Sequence, residues 1–152
     1  MSRINRILAA AVLVFALTVV AGAGQAGAKL IRKKFHGTVT MEYEKNPTGT
    51  DRFFGNVISP KHRCVSGAVV DLGFKPAFEG GGGGSTPRTT VASTHADANG
   101  YWQIFYEVSP NPSYDFASFS ASSPDRTLKT RKRNVKIVCK FSPSPVKTVV
   151  PG

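Results

Sequence analysis

The stretch DANGYWQIFYEV, residues 97–108, decides the fold that we expect. Its apolar side chains alternate from Trp102 and Ile104 onward, a period of two that places one face of a β-strand in a core. Asn99 and Gly100 precede this strand, and both residue types tolerate the positive φ of a tight hairpin turn. We therefore predict a β-hairpin in which residues 101–108 pair with residues 89–94, with Trp102 in the core.

Short alternating runs recur along the rest of the chain, separated by turn-forming residues. They predict further strands at residues 35–44, 52–59, 64–74, 113–121 and 134–141, with a short edge strand at 147–150. Gly55 lies inside one run and predicts a β-bulge or a close approach of two backbones. No helical periodicity follows residue 28. The pattern predicts an all-β fold, a seven- to eight-stranded Greek-key β-sandwich of prealbumin- or immunoglobulin-like type.

The first 28 residues have the features of a secretory signal peptide, which would form a helix ahead of the sandwich. Arg3 and Arg6 are followed by an apolar run and by small residues ending at Ala28. We expect cleavage there, a secreted protein and no membrane attachment afterwards; an uncleaved anchor is the alternative. Residues 29–51 would form a basic segment and first strand, and residues 52–150 the sandwich.

The cysteine count agrees with export. Cys64 and Cys139 are the two cysteines of the chain, and an even number in an exported protein predicts a disulfide. We expect a bridge between two strands, beside the buried Trp102. Two free thiols or a metal pair are the alternative, although no C-x-x-C spacing favours them.

Basic charge predicts an acidic partner. The formal net charge is +11, and the densest group of cations is a predicted loop at residues 126–133. This loop contains Arg126, Lys129, Arg131, Lys132 and Arg133. It could bind a polyanion such as an anionic glycan or wall polymer, or could be a solvated loop that only favours solubility. It lacks aromatic residues for stacking bases, so we expect no nucleic acid.

Two segments resemble a known family. FGNVIS at residues 54–59 ahead of Cys64, and THADANGYW at residues 94–102, resemble the carboxypeptidase regulatory-like domain of exported actinobacterial-type proteins. The resemblance covers roughly residues 52–150, and the last residues that match the family pattern are Cys139 and Ser142. It implies a seven-stranded, transthyretin-like Greek-key sandwich without catalytic residues. The related hydroxyisourate hydrolases end in Tyr-Arg-Gly-Ser, whereas this chain ends in Val-Pro-Gly.

Sites for chemistry are not evident in the sequence. His36, His62 and His95 lack metal-ligand spacing, and the glycine run at residues 80–84 lacks the lysine of a phosphate-binding loop. We expect no cofactor, no metal and no enzyme activity. The leading hypothesis is a secreted structural or interaction module at the cell envelope, with an unknown protein or an anionic envelope polymer as its partner. An unrecognised hydrolase is a further alternative, and the sequence leaves the oligomeric state undetermined.

Overall fold

The computed structural model describes residues 29–47, 49–77, 88–108 and 116–150. The predicted signal peptide and its helix at residues 1–28 lie outside the described residues. So do the glycine run at 80–84 and the first three residues of the strand predicted at 113–121. No helix within the described segments has the length and apolar character needed to cross a membrane.

The described residues form ten strands and one short helix. The strands are β1 (Ile31–Val39), β2 (Glu42–Glu44), β3 (Asp51–Ile58), β4 (Val69–Ala77), β5 (Thr89–His95), β6 (Tyr101–Tyr106), β7 (Phe116–Ser122), β8 (Arg126–Lys129), β9 (Val135–Ser142) and β10 (Lys147–Val149). The helix α1 (His62–Val65) is a single turn. The prediction of a mainly β protein is confirmed, and the strands outnumber the seven or eight expected. Two reasons are that residues 35–44 divide into β1 and β2 and that β8 replaces part of the predicted loop.

Two sheets divide the strands between them. The larger sheet has the order β2-β3-β1-β9-β8, with β6 added to β3, and the smaller sheet has the order β10-β7-β4-β5. The expected edge strand at residues 147–150 is β10, at one end of the smaller sheet. Strand β1 runs parallel to β9 over eight residue pairs, from Ile31 opposite Val135 to Thr38 opposite Ser142. The first and the last long strands of the described residues therefore lie side by side.

The predicted close approach at Gly55 is confirmed. Strand β1 ends at Val39, and β2 continues along β3 from Glu42, so Thr40 and Met41 interrupt the pairing. Gly55 lies opposite this interruption, where a Cβ atom would overlap the carbonyl group of Thr40. Any other residue would force the two strands apart.

The main core lies between the two sheets. Its largest fully buried side chains are Trp102 and Phe53 from the larger sheet and Phe119 and Leu72 from the smaller one. The rings of Phe53 and Phe119 approach to 4.6 Å between centroids across the two sheets. The alternation that predicted a buried Trp102 is thus confirmed.

A second group of buried residues, here called the disulfide cluster, lies apart from the main core. Cys64, Ile137 and Cys139 form it, and Phe35, Leu128 and Phe141 pack around them half-buried. Phe141 also packs against the main core, so it joins the two groups. The expectation that the disulfide would lie in the same core as Trp102 is therefore wrong.

The predicted hairpin pairing is also wrong. The turn closes as a hairpin does, since the Asp97 amide donates to the Tyr101 carbonyl at 2.8 Å. Beyond it, however, the strands separate: β6 pairs with β3 in the larger sheet and β5 with β4 in the smaller one. The turn therefore links the two sheets. Strand β6 pairs with β3 over six residues, from Asp51 opposite Tyr106 to Asn56 opposite Tyr101. This long-range pairing takes the place of the expected pairing with β5.

The segment around Cys64 differs from the prediction in a second way. Residues 62–65 form α1, where a polar turn and the start of a strand were expected, and the strand β4 begins only at Val69. The Cys64–Cys139 disulfide itself is confirmed, with 5.5 Å between the Cα atoms. It links α1 to β9, so it joins a helix to a strand and not two strands. The predicted inward face of β4 is correct: Val70 and Leu72 are fully buried.

Candidate anion-binding groove

A groove of about 570 Å³ opens where β1 and β9 begin, and we call it the basic groove. Its floor is mostly apolar, with Lys33 among the floor residues, and four further cationic side chains lie at its rim. The lining residues are Ile31, Lys33, Phe35, Lys61, Arg63, Thr130, Arg131, Lys132, Asn134, Val135 and Ile137. A concave site of this size can hold a small molecule or one part of a larger ligand.

The two parallel strands build the floor. Successive side chains of a strand point to opposite faces, so Ile31, Lys33 and Phe35 share one face of β1. Val135 and Ile137 share the corresponding face of β9, because the register places Ile31 opposite Val135 and Lys33 opposite Ile137. This is the same face of β1 that buries Val39 in the main core.

Helix α1 supplies one side of the rim. Lys61 precedes the helix and Arg63 lies within it, and the disulfide at Cys64 fixes this turn against β9. The Arg63 guanidinium donates a hydrogen bond from Nη2 to the Lys129 carbonyl oxygen at 3.0 Å. These links hold Arg63 at the rim while its side chain remains accessible.

The turn between β8 and β9 supplies the other side. The Val135 amide donates to the Lys132 carbonyl at 3.0 Å, and the Thr130 hydroxyl lies within 3.0 Å of the Lys132 carbonyl and 2.9 Å of the Val135 carbonyl. The turn is thus internally hydrogen-bonded. It presents Arg131 and Lys132 as exposed side chains beside the groove.

The electrostatic character of the basic groove is one-sided. Among the described residues, no carboxylate lines it. The ion pairs of the described segments join Arg52 to Glu44, Lys140 to Asp125 and Lys147 to Glu42, all with cations outside the groove. Like charges that converge without a counter-charge raise the local potential and attract anions.

The structure separates the five cations that were predicted to bind a polyanion. Arg131 and Lys132 line the basic groove, whereas Lys129 and Arg133 are exposed outside its lining. Arg126 also lies outside it: its Nη2 donates to the carbonyl oxygens of Arg63 at 2.8 Å and Ser66 at 3.0 Å. These bonds satisfy carbonyl groups at the end of α1, as a basic side chain near a helix C-terminus commonly does.

The prediction of one continuous basic loop at residues 126–133 is wrong. Residues 126–129 form β8, which pairs with β9 from Arg126 opposite Cys139 to Lys129 opposite Lys136. Because residues in a strand point alternately to two faces, Arg126 and Lys129 point to opposite faces of β8.

Three groove cations were missed by sequence reasoning: Lys33, Lys61 and Arg63. They are about 70 to 100 residues from the basic turn in the sequence, so no local charge count connects them. Two signals were present. A lysine interrupts the apolar face of β1 between Ile31 and Phe35, and the predicted disulfide ties the neighbours of Cys64 to β9.

Asn99 and Gly100 form a structural turn and not a binding site. The Asp97 carboxylate accepts hydrogen bonds from the amides of Asn99 at 2.8 Å and Tyr101 at 2.9 Å. Gly100 has a positive φ of 94°, whereas Asn99 does not have a positive φ. A Cβ atom on Gly100 would also collide with the carbonyl of Val57 and with Val65.

Metal-binding groups are not gathered in the parts of the chain that the structure describes. No group of three or more His, Cys, Asp or Glu side chains there could hold a metal ion. His36, His62 and His95 are all exposed.

Among the described residues, the one large pKa shift belongs to Tyr43. Burial, together with the hydrogen bond to the Asp51 carboxylate and the charge of that carboxylate, raises the pKa of Tyr43 to about 12. This pair lies at the edge of the main core, away from the groove.

Comparison with known proteins adds no relative: the sequence matches no protein-family model, and no curated protein or solved structure matches it.

Proposed function

We propose that this chain is an exported, non-catalytic interaction module that binds an anionic polymer of the cell envelope. Three observations support export and fold type: the signal-peptide-like residues 1–28, the disulfide Cys64–Cys139, and the two sheets with a shared core. Disulfides persist mainly in oxidising compartments outside the cytosol. The family in this proposal is the carboxypeptidase regulatory-like domain, with a Greek-key sandwich, and the sequence motifs at residues 54–59 and 94–102 support it.

The observation that carries the choice of ligand is the basic groove. Lys33, Lys61 and Arg63 meet Arg131 and Lys132 around one concavity, and none of the described residues that line it carries a carboxylate. Phosphate, sulfate or carboxylate groups of a polymer would neutralise these cations. Binding would displace the counterions condensed on the polymer, so the affinity would fall steeply with salt.

Retention on a model polyanion tests this function. Heparin affinity would be measured against salt concentration for the wild-type protein and for the double variant Arg131→Gln/Lys132→Gln. We expect the variant to bind about tenfold more weakly, because a cation near a polyanion contributes mainly through counterion release. Its logarithmic salt slope should be lower by about two, roughly one for each cation removed.

Strand β1 offers a matched control. Arg32 and Lys34 are exposed on the face of β1 opposite Lys33, and Arg32→Gln/Lys34→Gln makes the same change in net charge. This control should keep most of the affinity and the slope. Equal losses in the two double variants would show that binding follows net charge alone, and would contradict a ligand site in the basic groove.

A further inference from the structure

We propose that the basic groove accepts an anionic amphiphile, a phosphate monoester joined to a single hydrocarbon chain. This inference rests on the proposed anion binding and specifies the ligand class. The phosphate would lie among the cations of the rim, and the hydrocarbon chain would cover the apolar floor.

The first argument is the identity of the face that forms the floor. The inward side chains of β1 become steadily more exposed toward its start: Val39 is 2% exposed, Phe35 is half-buried and Ile31 is 47% exposed. Near Val39 the smaller sheet covers this face, whereas near Ile31 the described residues that flank it belong to the disulfide cluster and the rim. The floor is therefore a part of the core face that the described residues leave uncovered.

The second argument is the apolar character of the floor. Ile31, Phe35 and Val135 line the groove above Ile137, which is 6% exposed. Covering these side chains with a hydrocarbon chain would remove apolar surface from water, which is favourable in proportion to the area buried. A strongly hydrated polyanion, such as a sulfated sugar, would match the rim but would leave this floor in contact with water.

The third argument is the joint placement of charge and apolar surface. Lys33 lies on the floor face itself, between Ile31 and Phe35, and the other four cations surround it at the rim. A neutral lipid would satisfy the floor but leave these five cations without a counter-charge. A ligand with one anionic end and one hydrocarbon chain matches both features.

Calorimetric titration with butyl, octyl and dodecyl phosphate, each kept below its micelle concentration, tests the inference. Inorganic phosphate and the uncharged detergent dodecyl maltoside are the reference ligands. We expect the affinity for the alkyl phosphates to rise about two- to fourfold for each methylene that becomes buried. Inorganic phosphate and dodecyl maltoside should each bind at least about tenfold more weakly than dodecyl phosphate.

Two single variants separate the floor from the rim. Ile31→Ser should reduce the gain with chain length, and Lys33→Gln should weaken all alkyl phosphates without removing that gain. The matched control is Ile58→Ser, because Ile58 is similarly exposed at 54% on β3 and does not line the groove. Since these three side chains are all exposed, none of the variants should unfold the protein.

The outcomes also distinguish this inference from the proposed function. Salt-dependent heparin binding through the groove cations without any chain-length effect would overturn the amphiphile and leave the polyanion function standing. Chain-length-dependent binding without heparin retention would support the amphiphile and overturn the polymer. Equal binding of dodecyl maltoside and dodecyl phosphate would show non-specific apolar adsorption and would also overturn the inference.

Discussion

The main core and the disulfide cluster bury their residues in different ways. In the main core, Phe53 and Trp102 of the larger sheet face Phe119 and Leu72 of the smaller sheet, and each is fully buried. In the disulfide cluster the same larger sheet faces one helical turn, and the covalent bond from Cys64 to Cys139 joins the two. One region is closed by apolar packing from both sides, and the other by a crosslink.

The difference explains why the basic groove lies where it does. A sheet buries its apolar face against another layer of the fold, and a layer as short as one helical turn gains from a covalent link that holds it in place. The disulfide provides this at Cys139, because it holds α1 against β9 without covering the inward face of β1. The main core can then supply stability while the other end of the sheet supplies a binding surface.

The largest effect on the free energy of unfolding is expected from removing a central aromatic ring of the main core. Phe119 is fully buried and its ring contacts those of Phe53, Phe74 and Tyr106, at centroid distances of 4.6, 5.5 and 6.0 Å. Phe119→Ala should lower the free energy of unfolding by about 3–5 kcal/mol, since it removes buried apolar area and leaves a cavity. Urea denaturation measures the loss. The control Phe105→Ala, at a site 60% exposed, should change stability by less than about 0.5 kcal/mol.

Removing the disulfide should lower the free energy of unfolding by a similar or smaller amount, and its structural effect should be confined to the disulfide cluster. The bridge spans 75 residues of sequence, and the double variant Cys64→Ala/Cys139→Ala should lose about 2–5 kcal/mol of unfolding free energy. Trp102 should stay buried in the folded variant, with an unchanged fluorescence maximum. Emission typical of an exposed indole, under conditions where the variant is folded, would show that the main core depends on the bridge. In the wild type, mass measurement after alkylation without reduction should find no free thiol.

Loss of the Arg126 side chain should have a moderate effect. Arg126→Ala leaves the Arg63 and Ser66 carbonyls without their donor, so we expect a loss of about 1–2 kcal/mol in thermal or urea unfolding. Arg133 is exposed and lies outside the groove lining, and Arg133→Ala should change stability by less than about 0.5 kcal/mol. Equal effects of the two substitutions would contradict the structural role of Arg126.

The smallest effect on stability is expected from the ionisation of Tyr43, at the edge of the main core. The raised pKa of Tyr43, about 12 instead of 10, means that folding favours the neutral phenol. Its contribution to stability is complete below pH 10 and is lost as the pH rises from 10 to 12. Ultraviolet absorbance titration should show one late tyrosine, absent in Tyr43→Phe and shifted toward pH 10 in Asp51→Asn. Unchanged titration in Asp51→Asn would exclude the hydrogen bond at 3.1 Å as a cause.

Local sequence patterns predicted the individual strands better than they predicted which strands pair with each other. The alternation of β6, the inward face of β4 and the core-facing Cys139 could be read from residue order, because strand periodicity follows from backbone geometry. The pairing of β6 with β3 could not, since an Asn-Gly turn specifies the local reversal and not which sheet each strand joins. Two of the groove cations, Arg131 and Lys132, were predicted from local charge density. Lys33 required knowing the parallel register of β1 and β9, and Lys61 and Arg63 required knowing where the disulfide holds α1.

The sequence by itself determined that the chain is mainly β, that Trp102 is buried and that Cys64 and Cys139 are joined. These properties depend on side-chain alternation and on an even cysteine count. Only the tertiary structure decided that the disulfide closes a second cluster and that Lys33, Lys61 and Arg63 meet Arg131 and Lys132 at one groove. The physical reason is that these cations converge through the register of β1 on β9 and a crosslink across 75 residues. Both are long-range contacts, which short-range periodicity does not encode.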